Sequence, residues 1–315
     1  MTLVSKLKKE LKRKEVAALV ASVCLMAYSS GANAFTCKVN STGQTVGSGT
    51  ANVYVNLTPS VGVGQNLIVN LSNEIRCKND STPPNIDTDY IKLTGGSSYG
   101  GVLDNFSGTV YWNGSSYPMP LNSQTKNYTI AHTDYRGIPF RLYLTALGTA
   151  GGQAVKAGEL IAVMRMYKIA TFNGGYPKNF TWNIYANNSV VIPTGGCDVS
   201  SRNVTVTLPD YPGTAAVPLT VHCGQNQQLA YYLTGTTADT ASTIFTNTSS
   251  SNPATGVGVQ LSNRNGIVAT NKNVSLGTVG TSPVSLGLTA SYARTTGQVV
   301  AGNVQSIIGV TFVYE

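Results

Sequence analysis

The stretch that decides the fold is "ANVYVNLTPSVGVGQNLIVNL", residues 51–71. Apolar residues alternate with polar or aromatic ones on both sides of a break that contains Pro59, Gly62 and Gly64. The predicted inward-facing sets are Val53, Val55 and Leu57, followed by Leu67, Val69 and Leu71. A period of two places alternate side chains on one face of a β-strand, and Pro and Gly mark turns. The stretch therefore predicts two strands joined by a turn.

The same alternation recurs along the chain. It is present in "NFTWNIY" (179–185), "NVTVTL" (203–208), "VPLTVHC" (217–223) and "VQSIIGVTFVYE" (304–315). After residue 34 no segment shows a convincing helical stripe, and turn signals return about every ten residues, which is typical of β-sandwiches. The predicted fold class is therefore all-β.

Bulk composition agrees with folded sandwiches. The 315 residues are 42% hydrophobic and only 11% charged, whereas disordered chains combine low hydrophobicity with high charge. The length is sufficient for about two domains.

Residues 1–34 are predicted to be a secretory signal peptide. A basic head precedes the short apolar stretch 16–28 and an Ala-x-Ala pattern that ends at Ala34, which is the usual order of parts. Cleavage there would make Phe35 the first residue. The segment carries +4 of the formal net charge of +8. The remaining +4 gives no support for binding to nucleic acid.

Four cysteines follow this segment: Cys37, Cys77, Cys197 and Cys223. An even number in an exported protein predicts disulfides, and four cysteines allow three connectivities. Because each half of the chain holds two, we predict the pairs Cys37–Cys77 and Cys197–Cys223. A zinc site is disfavoured because no Cys-x-x-Cys spacing occurs, and no other metal is predicted.

The segment "VIPTGGCDVS" (191–200) is the predicted domain boundary, because Pro193 and the glycine pair interrupt a strand. We place a first domain at 35–192, a linker at 193–196 and a second domain at 197–315. The last alternating strand runs into residue 315. Two interpretations stay open: a complete sandwich, or a sandwich that lacks a strand and exposes an apolar groove to a partner strand.

The sequence does not predict an enzyme or a cofactor. His132 and His222 are the only histidines. The segment "GSSYG" (96–100) formally matches a nucleophile motif, but the following residues do not form the helix which that motif requires.

Polar residues gather in "CKNDSTPPNIDTDY" (77–90), which holds Asn79, Asp80, Asp87 and Asp89. Such a cluster is compatible with ordinary turn chemistry, or with a calcium site, although the EF-hand spacing is missing. It also offers fixed acceptors for sugar hydroxyls.

A second polar segment, "YKIATFNGGYPKNFTW" (167–182), offers complementary groups. Lys168 and Lys178 supply charged donors, and Phe172 and Tyr176 supply aromatic faces. Donors, acceptors and aromatic walls together are typical of a site for a small polar ligand.

The chain after residue 34 resembles the two-domain tip adhesins of chaperone–usher fimbriae, of the FimH type. The matching segments are "FTCKVN" (35–40), "ANVYVNLTPSVGVGQNL" (51–67), "YGGVLDNFSGTVYWNGSSYP" (99–118), "WNIYANNSVVIPTGGCDVSSRNVTVTLPDYPG" (182–213) and "NVQSIIGVTFVYE" (303–315).

This resemblance implies an N-terminal lectin domain and a C-terminal immunoglobulin-like pilin domain that lacks its last strand. Gly302 and the penultimate Tyr314 match the family's C-terminal mark. The implied partners are a periplasmic chaperone, an outer-membrane usher, an adjacent fimbrial subunit that donates a strand, and host glycans. The implied location is the fimbrial tip at the bacterial surface.

The resemblance also implies a sugar site built from the mature N-terminal residue, the acidic cluster and the second polar segment. The predicted carbohydrate-binding residues are Phe35, Val46, Asn79, Asp80, Asp89, Lys168, Tyr176 and Lys178. The free amine of Phe35 would be one of the donors.

The second polar segment departs from the mannose-binding pattern of the FimH type. That pattern has Gln, Asn, Asp and Phe where this chain has Ile169, Thr171, Tyr176 and Lys178. "YKIAT" instead resembles the galactose- or N-acetylgalactosamine-binding FmlH type, with Lys168 as the matching lysine. The expected ligand is therefore terminal galactose or N-acetylgalactosamine. The alternatives are a mannose-specific type 1 fimbrial adhesin and a structural subunit that binds no sugar.

Overall fold

A computed structural model describes residues 35–81, 87–147, 151–171 and 175–315. The predicted signal peptide lies outside these residues. Within them the chain is built from β-strands and two single-turn 3₁₀ helices, Leu71–Asn73 and Gly101–Leu103. No helix in this part of the chain is long and apolar enough to cross a bilayer.

Sixteen strands of the described residues surround the first hydrophobic core. They are β1 (Phe35–Val39), β2 (Thr45–Val46), β3 (Gly49–Val55), β4 (Gln65–Asn70), β5 (Ile75–Asn79), β6 (Asp89–Leu93), β7 (Ser98–Tyr99), β8 (Gly108–Trp112), β9 (Ser115–Met119), β10 (Tyr128–Ile130), β11 (Arg136–Gly137), β12 (Phe140–Thr145), β13 (Gly152–Val155), β14 (Leu160–Ala170), β15 (Lys178–Ala186) and β16 (Val190–Pro193).

Eleven strands form the second half. They are β17 (Cys197–Val199), β18 (Thr214–Ala216), β19 (Thr220–Cys223), β20 (Gln227–Thr234), β21 (Ile244–Phe245), β22 (Val257–Asn263), β23 (Gly266–Ile267), β24 (Val274–Val279), β25 (Val284–Ser285), β26 (Thr289–Arg294) and β27 (Gly309–Tyr314).

The first half packs its sheets face to face. One sheet has the order β10–β6–β14–β15–β3, with β7 beside β14, and β3 runs parallel to β15 at the edge. Another has the order β4–β12–β8–β9, and a third the order β11–β5–β1–β2. Trp112, Phe140, Phe180 and Trp182 are buried between them. The predicted all-β fold with two domains is confirmed.

Strand alternation was predicted correctly in most segments and incorrectly in one. Phe180, Trp182 and Ile184 are all buried, as predicted. In β4, by contrast, Leu67 is only half-buried, whereas Ile68 is fully buried. The register against β12 skips Ile68, which forms a β-bulge. A bulge adds one residue to a strand and so shifts the alternation, and it has no signature in the apolar pattern itself.

The second half holds a separate hydrophobic core. Its sheets have the orders β17–β19–β25, β18–β26–β22–β21 (with β23 beside β22) and β24–β20–β27. Each half has one disulfide, Cys37–Cys77 and Cys197–Cys223. Both join paired positions on neighbouring strands, β1 with β5 and β17 with β19.

The predicted strand "NVTVTL" is not a strand in the structure. Residues 203–208 pair with no neighbour, although Val204, Val206 and Leu208 pack half-buried against the second core. The last strand, β27, pairs with β20 and occupies the edge of its sheet among the described residues. The apolar alternation therefore holds in 203–208, but no lateral hydrogen bonds complete a strand.

Hydrogen bonds from both halves hold the segment 193–196. Asn66, which is fully buried, donates from Nδ2 to the carbonyl oxygens of Pro193 and Gly195, at 2.7 and 2.8 Å. The backbone N–H of Gly196 donates to the hydroxyl oxygen of Tyr314 at 2.9 Å. The segment is thus fixed by the first half through Asn66 and by the second half through its last strand.

Candidate functional site

Five strands bring four polar residues and Phe35 to one end of the first domain. The residues at this end are Phe35 at the start of β1, Asn79 at the end of β5, Asp89 at the start of β6, Lys168 near the end of β14 and Lys178 at the start of β15. Antiparallel pairing sets them side by side: Phe35 opposite Asn79, Asp89 opposite Ala170 and Lys168 opposite Lys178. We call this region the strand-end site.

A buried ion pair forms the floor of the strand-end site. Lys168 Nζ lies 2.6 Å from Asp89 Oδ1, and both side chains are 0% exposed. Asn79 donates from Nδ2 to Asp89 Oδ2 at 2.9 Å and to the Asp87 carbonyl oxygen at 2.8 Å. Neither Lys168 Nζ nor Asp89 Oδ1 has another polar partner among the described residues. These three side chains thus form one closed polar cluster at the end of an apolar core.

The alternation of the strands explains why the cluster is buried. In β14, Met164, Met166, Lys168 and Ala170 share the buried face, so Lys168 occupies a core-facing position. Phe35 is also fully buried, and its ring centre lies 5.8 Å from Lys168 Nζ and 5.6 Å from the Phe180 ring. A lysine is rarely buried unless it is paired. Asp89 supplies the paired charge.

Burial and pairing act in opposite directions on the Asp89 carboxyl. Burial raises the pKa of Asp89 to about 6 because a charged carboxylate loses its hydration, while the neighbouring Lys168 ammonium pulls the pKa back down. The carboxyl thus remains mostly ionised at neutral pH and takes up a proton in mildly acidic solution.

This shift gives a prediction on pH. The Asp89 carboxyl is expected to titrate near pH 6 in carboxyl-detected ¹³C NMR spectra of the folded chain, about two pH units above an ordinary aspartate. Exposed Asp134, whose pKa is lowered by its bond to Arg136, is the internal control and should titrate below 3.8. A midpoint for Asp89 at or below that of Asp134 would show that the carboxyl is not desolvated.

Asp80 lies beside the cluster and retains partial exposure. Its Oδ1 is 2.8 Å from Lys78 Nζ, and its Oδ2 accepts a short hydrogen bond from the Thr36 hydroxyl. The pKa of Lys78 is raised, mainly by this contact with Asp80. Asp80 is therefore a carboxylate held in place from two sides and still open to solvent.

Tyr176 and Lys178 lie on the outer side. Tyr176 is 53% exposed and has a positive φ of 37°. Lys178 is half-buried, and its pKa is lowered, first by burial and then by the charge of Lys168, with Asp80 and Asp89 acting in the opposite direction. Those four charges thus lie close enough to influence one another.

All eight predicted carbohydrate-binding residues were expected to contact a sugar, and the structure separates them into two groups. Phe35, Asn79, Asp89, Lys168 and Val46 are buried, with Val46 opposite Cys37 inside the first core. The other group, Asp80, Tyr176 and Lys178, keeps exposed surface. Direct sugar contacts by the buried side chains stay a prediction. Phe172, named above as an aromatic wall, lies outside the described residues.

Sequence reasoning missed two contacts that support the site. One is the ion pair of Lys78, in β5, with Asp80, which directly follows that strand; their spacing of two residues was an available signal. The other joins the two polar segments: the Thr171 hydroxyl donates to Asp87 Oδ1 at 2.5 Å, and the Thr171 N–H donates to the Thr88 carbonyl oxygen at 3.0 Å. This second contact has no signal in one sequence.

Comparisons with known proteins agree on the family. Residues 37–183 match the family model "FimH, mannose binding", and residues 188–315 match "Fimbrial protein". The type 1 fimbrin D-mannose specific adhesin of Escherichia coli K12 is 58% identical over 295 residues, covering 93% of this chain and 97% of the relative. The S-fimbrial protein subunit SfaH of Escherichia coli O6:K15:H31 (strain 536) is 40% identical over 303 residues, covering 92% and 100%.

Solved structures add little. A chain from the crystal structure of the CsuC–CsuE chaperone–tip subunit complex of Acinetobacter baumannii matches at a TM-score of 0.27 and 10% identity, covering 88% of this chain and 99% of the solved chain. The CupB6 tip adhesin of Pseudomonas aeruginosa matches at a TM-score of 0.28 and 14% identity, covering 82% of this chain and 93% of the solved chain. TM-scores this low support no inference about the fold or the function of this chain. None of the comparisons confirms the expected FmlH-type specificity for galactose.

The strand-end site, the all-β architecture and the two family matches lead to one assignment. The chain belongs to the two-domain chaperone–usher fimbrial tip adhesins, which are binding proteins of the bacterial cell surface, with a FimH-type first domain and a fimbrial-protein second domain.

Proposed function

We propose that the chain binds a terminal, uncharged hexose of a host glycan at the strand-end site. The observation that supports this proposal is the buried Asn79–Asp89–Lys168 cluster beneath the more exposed Asp80 and Lys178. Sugar hydroxyls both donate and accept, so they need fixed acceptors and donors at short range. Asp80 supplies acceptor atoms and Lys178 supplies N–H donors.

The buried cluster has a positioning role in this proposal. It holds the ends of β5, β6 and β14 together by charge-assisted bonds, which are stronger than neutral hydrogen bonds. Cleavage of the predicted signal peptide would add the α-amine of Phe35 next to Asn79, its pairing partner. The mature N-terminus would thus be one more donor at the same place.

Mannose is the first candidate for the sugar. The first domain matches a mannose-binding family model, and the relative with 58% identity is named as D-mannose specific. A ligand shared with that relative is the simplest inference from this degree of similarity.

Terminal galactose or N-acetylgalactosamine is the second candidate, and position 169 weighs against a sugar that needs a polar partner there. Ile169 lies on the opposite face of β14 from Lys168. It packs closely on Gly175: a Cβ atom added to that glycine would lie only 2.5 Å from Ile169 Cγ1. Its side chain is a hydrocarbon and offers no polar atom to a sugar hydroxyl. An unpaired buried hydroxyl costs about 1–3 kcal/mol, which weakens any ligand that depends on a polar group at this position.

Competition separates the two sugars. The mature chain is immobilised, bound to a glycoprotein that carries both mannose and galactose termini, and challenged with methyl α-D-mannopyranoside or methyl β-D-galactopyranoside. We expect the mannoside to compete better, and stronger competition by the galactoside would assign the ligand to the second candidate. If neither sugar competes and a broad glycan array is silent with a folded protein, the structural-subunit alternative stands.

The second domain supports assembly into the fimbria in this proposal. Its last strand, β27, has an unpaired outer edge among the described residues, and Val310, Phe312 and Tyr314 on it are only half-buried. An unpaired strand edge beside half-exposed apolar residues is what strand addition uses. We therefore propose that a periplasmic chaperone, and then an adjacent fimbrial subunit, adds a strand there after delivery through an outer-membrane usher.

A further inference from the structure

A second polar groove lies on the first domain, at the opposite end of β15 from the strand-end site. Its volume is about 640 Å³, and its lining includes Ser41, Thr42, Tyr54, Asn56, Glu74 and Asn187. Tyr185, which stacks on Tyr54, is seven residues along β15 from Lys178, so about 23 Å separates the two regions. We call this region the asparagine–tyrosine groove. A volume of this size is typical of small-molecule sites.

An aromatic platform forms one wall of the groove. Tyr54 on β3 stands opposite Tyr185 on β15, with ring centres 5.4 Å apart and ring planes inclined by 24°. Tyr54 is 38% exposed. A tyrosine ring offers a flat apolar face and a polar edge, which matches the C–H face and the hydroxyl rim of a pyranose.

Amide groups flank the platform. Asn187 donates from Nδ2 to Asn56 Oδ1 at 3.0 Å. Within the described residues this bond leaves Asn56 Nδ2 as a donor and Asn187 Oδ1 as an acceptor without a protein partner. A single hydroxyl group can bond to both, because it is a donor and an acceptor at once.

Ser41, Thr42 and Glu74 add two oriented hydroxyls and one carboxylate to the lining of the groove. Ser41 Oγ accepts from the Tyr54 N–H at 3.0 Å and Thr42 Oγ1 from the Gln44 N–H at 3.2 Å, so each hydroxyl still has its own proton to donate. Glu74 is half-buried, and burial raises its pKa. In the described part of the chain, no cation pairs with its carboxylate.

Stabilisation of the sheet edge explains only part of this arrangement. The cross-strand pairs Asn52–Asn183 and Asn56–Asn187 tie the edge strand β3 to β15, and such pairs stabilise sheets. The Glu74 carboxylate and the Ser41 and Thr42 hydroxyls lie on other segments and contribute nothing to that pairing. They line the same groove as Tyr54.

We propose that the asparagine–tyrosine groove is an accessory site for a neutral saccharide. The tyrosine platform would stack on one face of a pyranose, the amide pair and the two hydroxyls would bond its hydroxyl groups, and Glu74 would accept from one of them. Acidic sugars are disfavoured, because Glu74 would repel a carboxylate or sulfate and, among the residues that the structure describes, no cationic side chain lines the groove. This site is independent of the strand-end site.

The test maps amide signals of the full mature chain by ¹H–¹⁵N NMR. The probes are methyl α-D-mannopyranoside, methyl β-D-galactopyranoside and methyl α-L-fucopyranoside, each at about 10 mM, a concentration that fills a site with a Kd near 1 mM. We expect saturable shifts at Tyr54, Asn56 and the Asn187 side-chain amide with at least one probe. These shifts should persist in Asp80→Asn, which perturbs only the strand-end site.

Two variants and a matched control complete the test. Tyr54→Leu removes the flat ring but keeps apolar bulk, and Glu74→Gln removes the charge, so each should weaken groove binding about tenfold. Asn52→Ala lies on the same exposed face of β3 outside the groove and should leave it unchanged. An absence of groove shifts with all three probes overturns the proposal, as do shifts that neither Tyr54→Leu nor Glu74→Gln reduces.

Discussion

Replacing Lys168 with methionine is expected to lower the free energy of unfolding of the first domain by about 3–5 kcal/mol at pH 7.5. Methionine fills a similar volume, but it leaves the fully buried Asp89 carboxylate without its cation. The loss should be smaller at pH 5. Burial already raises the pKa of Asp89 to about 6 in the parent, and removal of the lysine removes a cause that lowers it. At pH 5, protonation therefore neutralises the unpaired Asp89 carboxylate.

The direction of the pH effect follows from linkage. The pKa of Asp89 is higher in the folded chain than its ordinary 3.8, so between about pH 4 and 6 the folded state binds more protons than the unfolded state. This group therefore adds stability as the pH falls through that window. In Lys168→Met the window extends to higher pH, which reduces the difference from the parent in acid.

The measurement is urea denaturation of the full chain followed by tryptophan fluorescence. Both tryptophans, Trp112 and Trp182, lie in the first core, so the signal reports on that domain alone. Lys92→Met is the matched control: Lys92 lies on the neighbouring strand β6, 5.4 Å from the Tyr167 ring, and should cost less than about 1 kcal/mol. The double variant Asp89→Asn/Lys168→Met should recover most of the loss. Equal stability of Lys168→Met and the parent at pH 7.5 would refute the buried pair.

A strand supplied to the second domain is expected to raise its thermal midpoint by about 10–15 °C. The added strand would be fused after Glu315 through a four-residue turn, so that it returns antiparallel along β27. Alternating valines on it would cover the half-exposed Val310 and Phe312 and their neighbours on the second core. After the entropy cost of ordering the strand is subtracted, burial of its apolar side chains should raise the free energy of unfolding by about 2–4 kcal/mol. In a domain of about 120 residues, this gain corresponds to the stated rise in the thermal midpoint.

Differential scanning calorimetry resolves this gain from the unfolding of the first domain. The control fusion carries serine at the inward positions and has the same length, so it adds chain without apolar burial. It should leave the midpoint within a few degrees of the parent. If the valine fusion raises the thermal midpoint of the second domain no more than the serine fusion does, the outer edge of β27 does not accept an added strand.

Much of the fold followed from local patterns in the sequence. The alternation of Phe180, Trp182 and Ile184 predicted a strand with one buried face, because a period of two has one structural meaning. The bulge at Ile68 did not follow, because an extra residue is specified by the partner strand β12 and not by β4 alone. The segment 203–208 kept its apolar alternation without becoming a strand, because pairing requires a neighbour and alternation does not.

The candidate site was predictable in part. Residue types identified Asn79, Asp89 and Lys168 as polar groups of interest, and the strand ends explain why they meet. Their full burial was not predictable, because Lys168 and Asp89 are 79 positions apart and a single sequence does not reveal which distant charges will pair. A lysine at a core-facing position of β14 was nevertheless a readable signal, since such a residue requires a buried anion.

Sugar binding at the strand-end site is tested most directly by calorimetric titration of residues 35–315 with the methyl glycoside that competes best. Asp80→Asn keeps the shape of the side chain and an acceptor for the Thr36 hydroxyl but removes the charge of the half-buried carboxylate. We predict a loss of affinity of about 10–100-fold, as expected for a hydrogen bond to a charged group. Asp210→Asn, an exposed change in the second half, should have no effect. Unchanged affinity in Asp80→Asn would contradict the account.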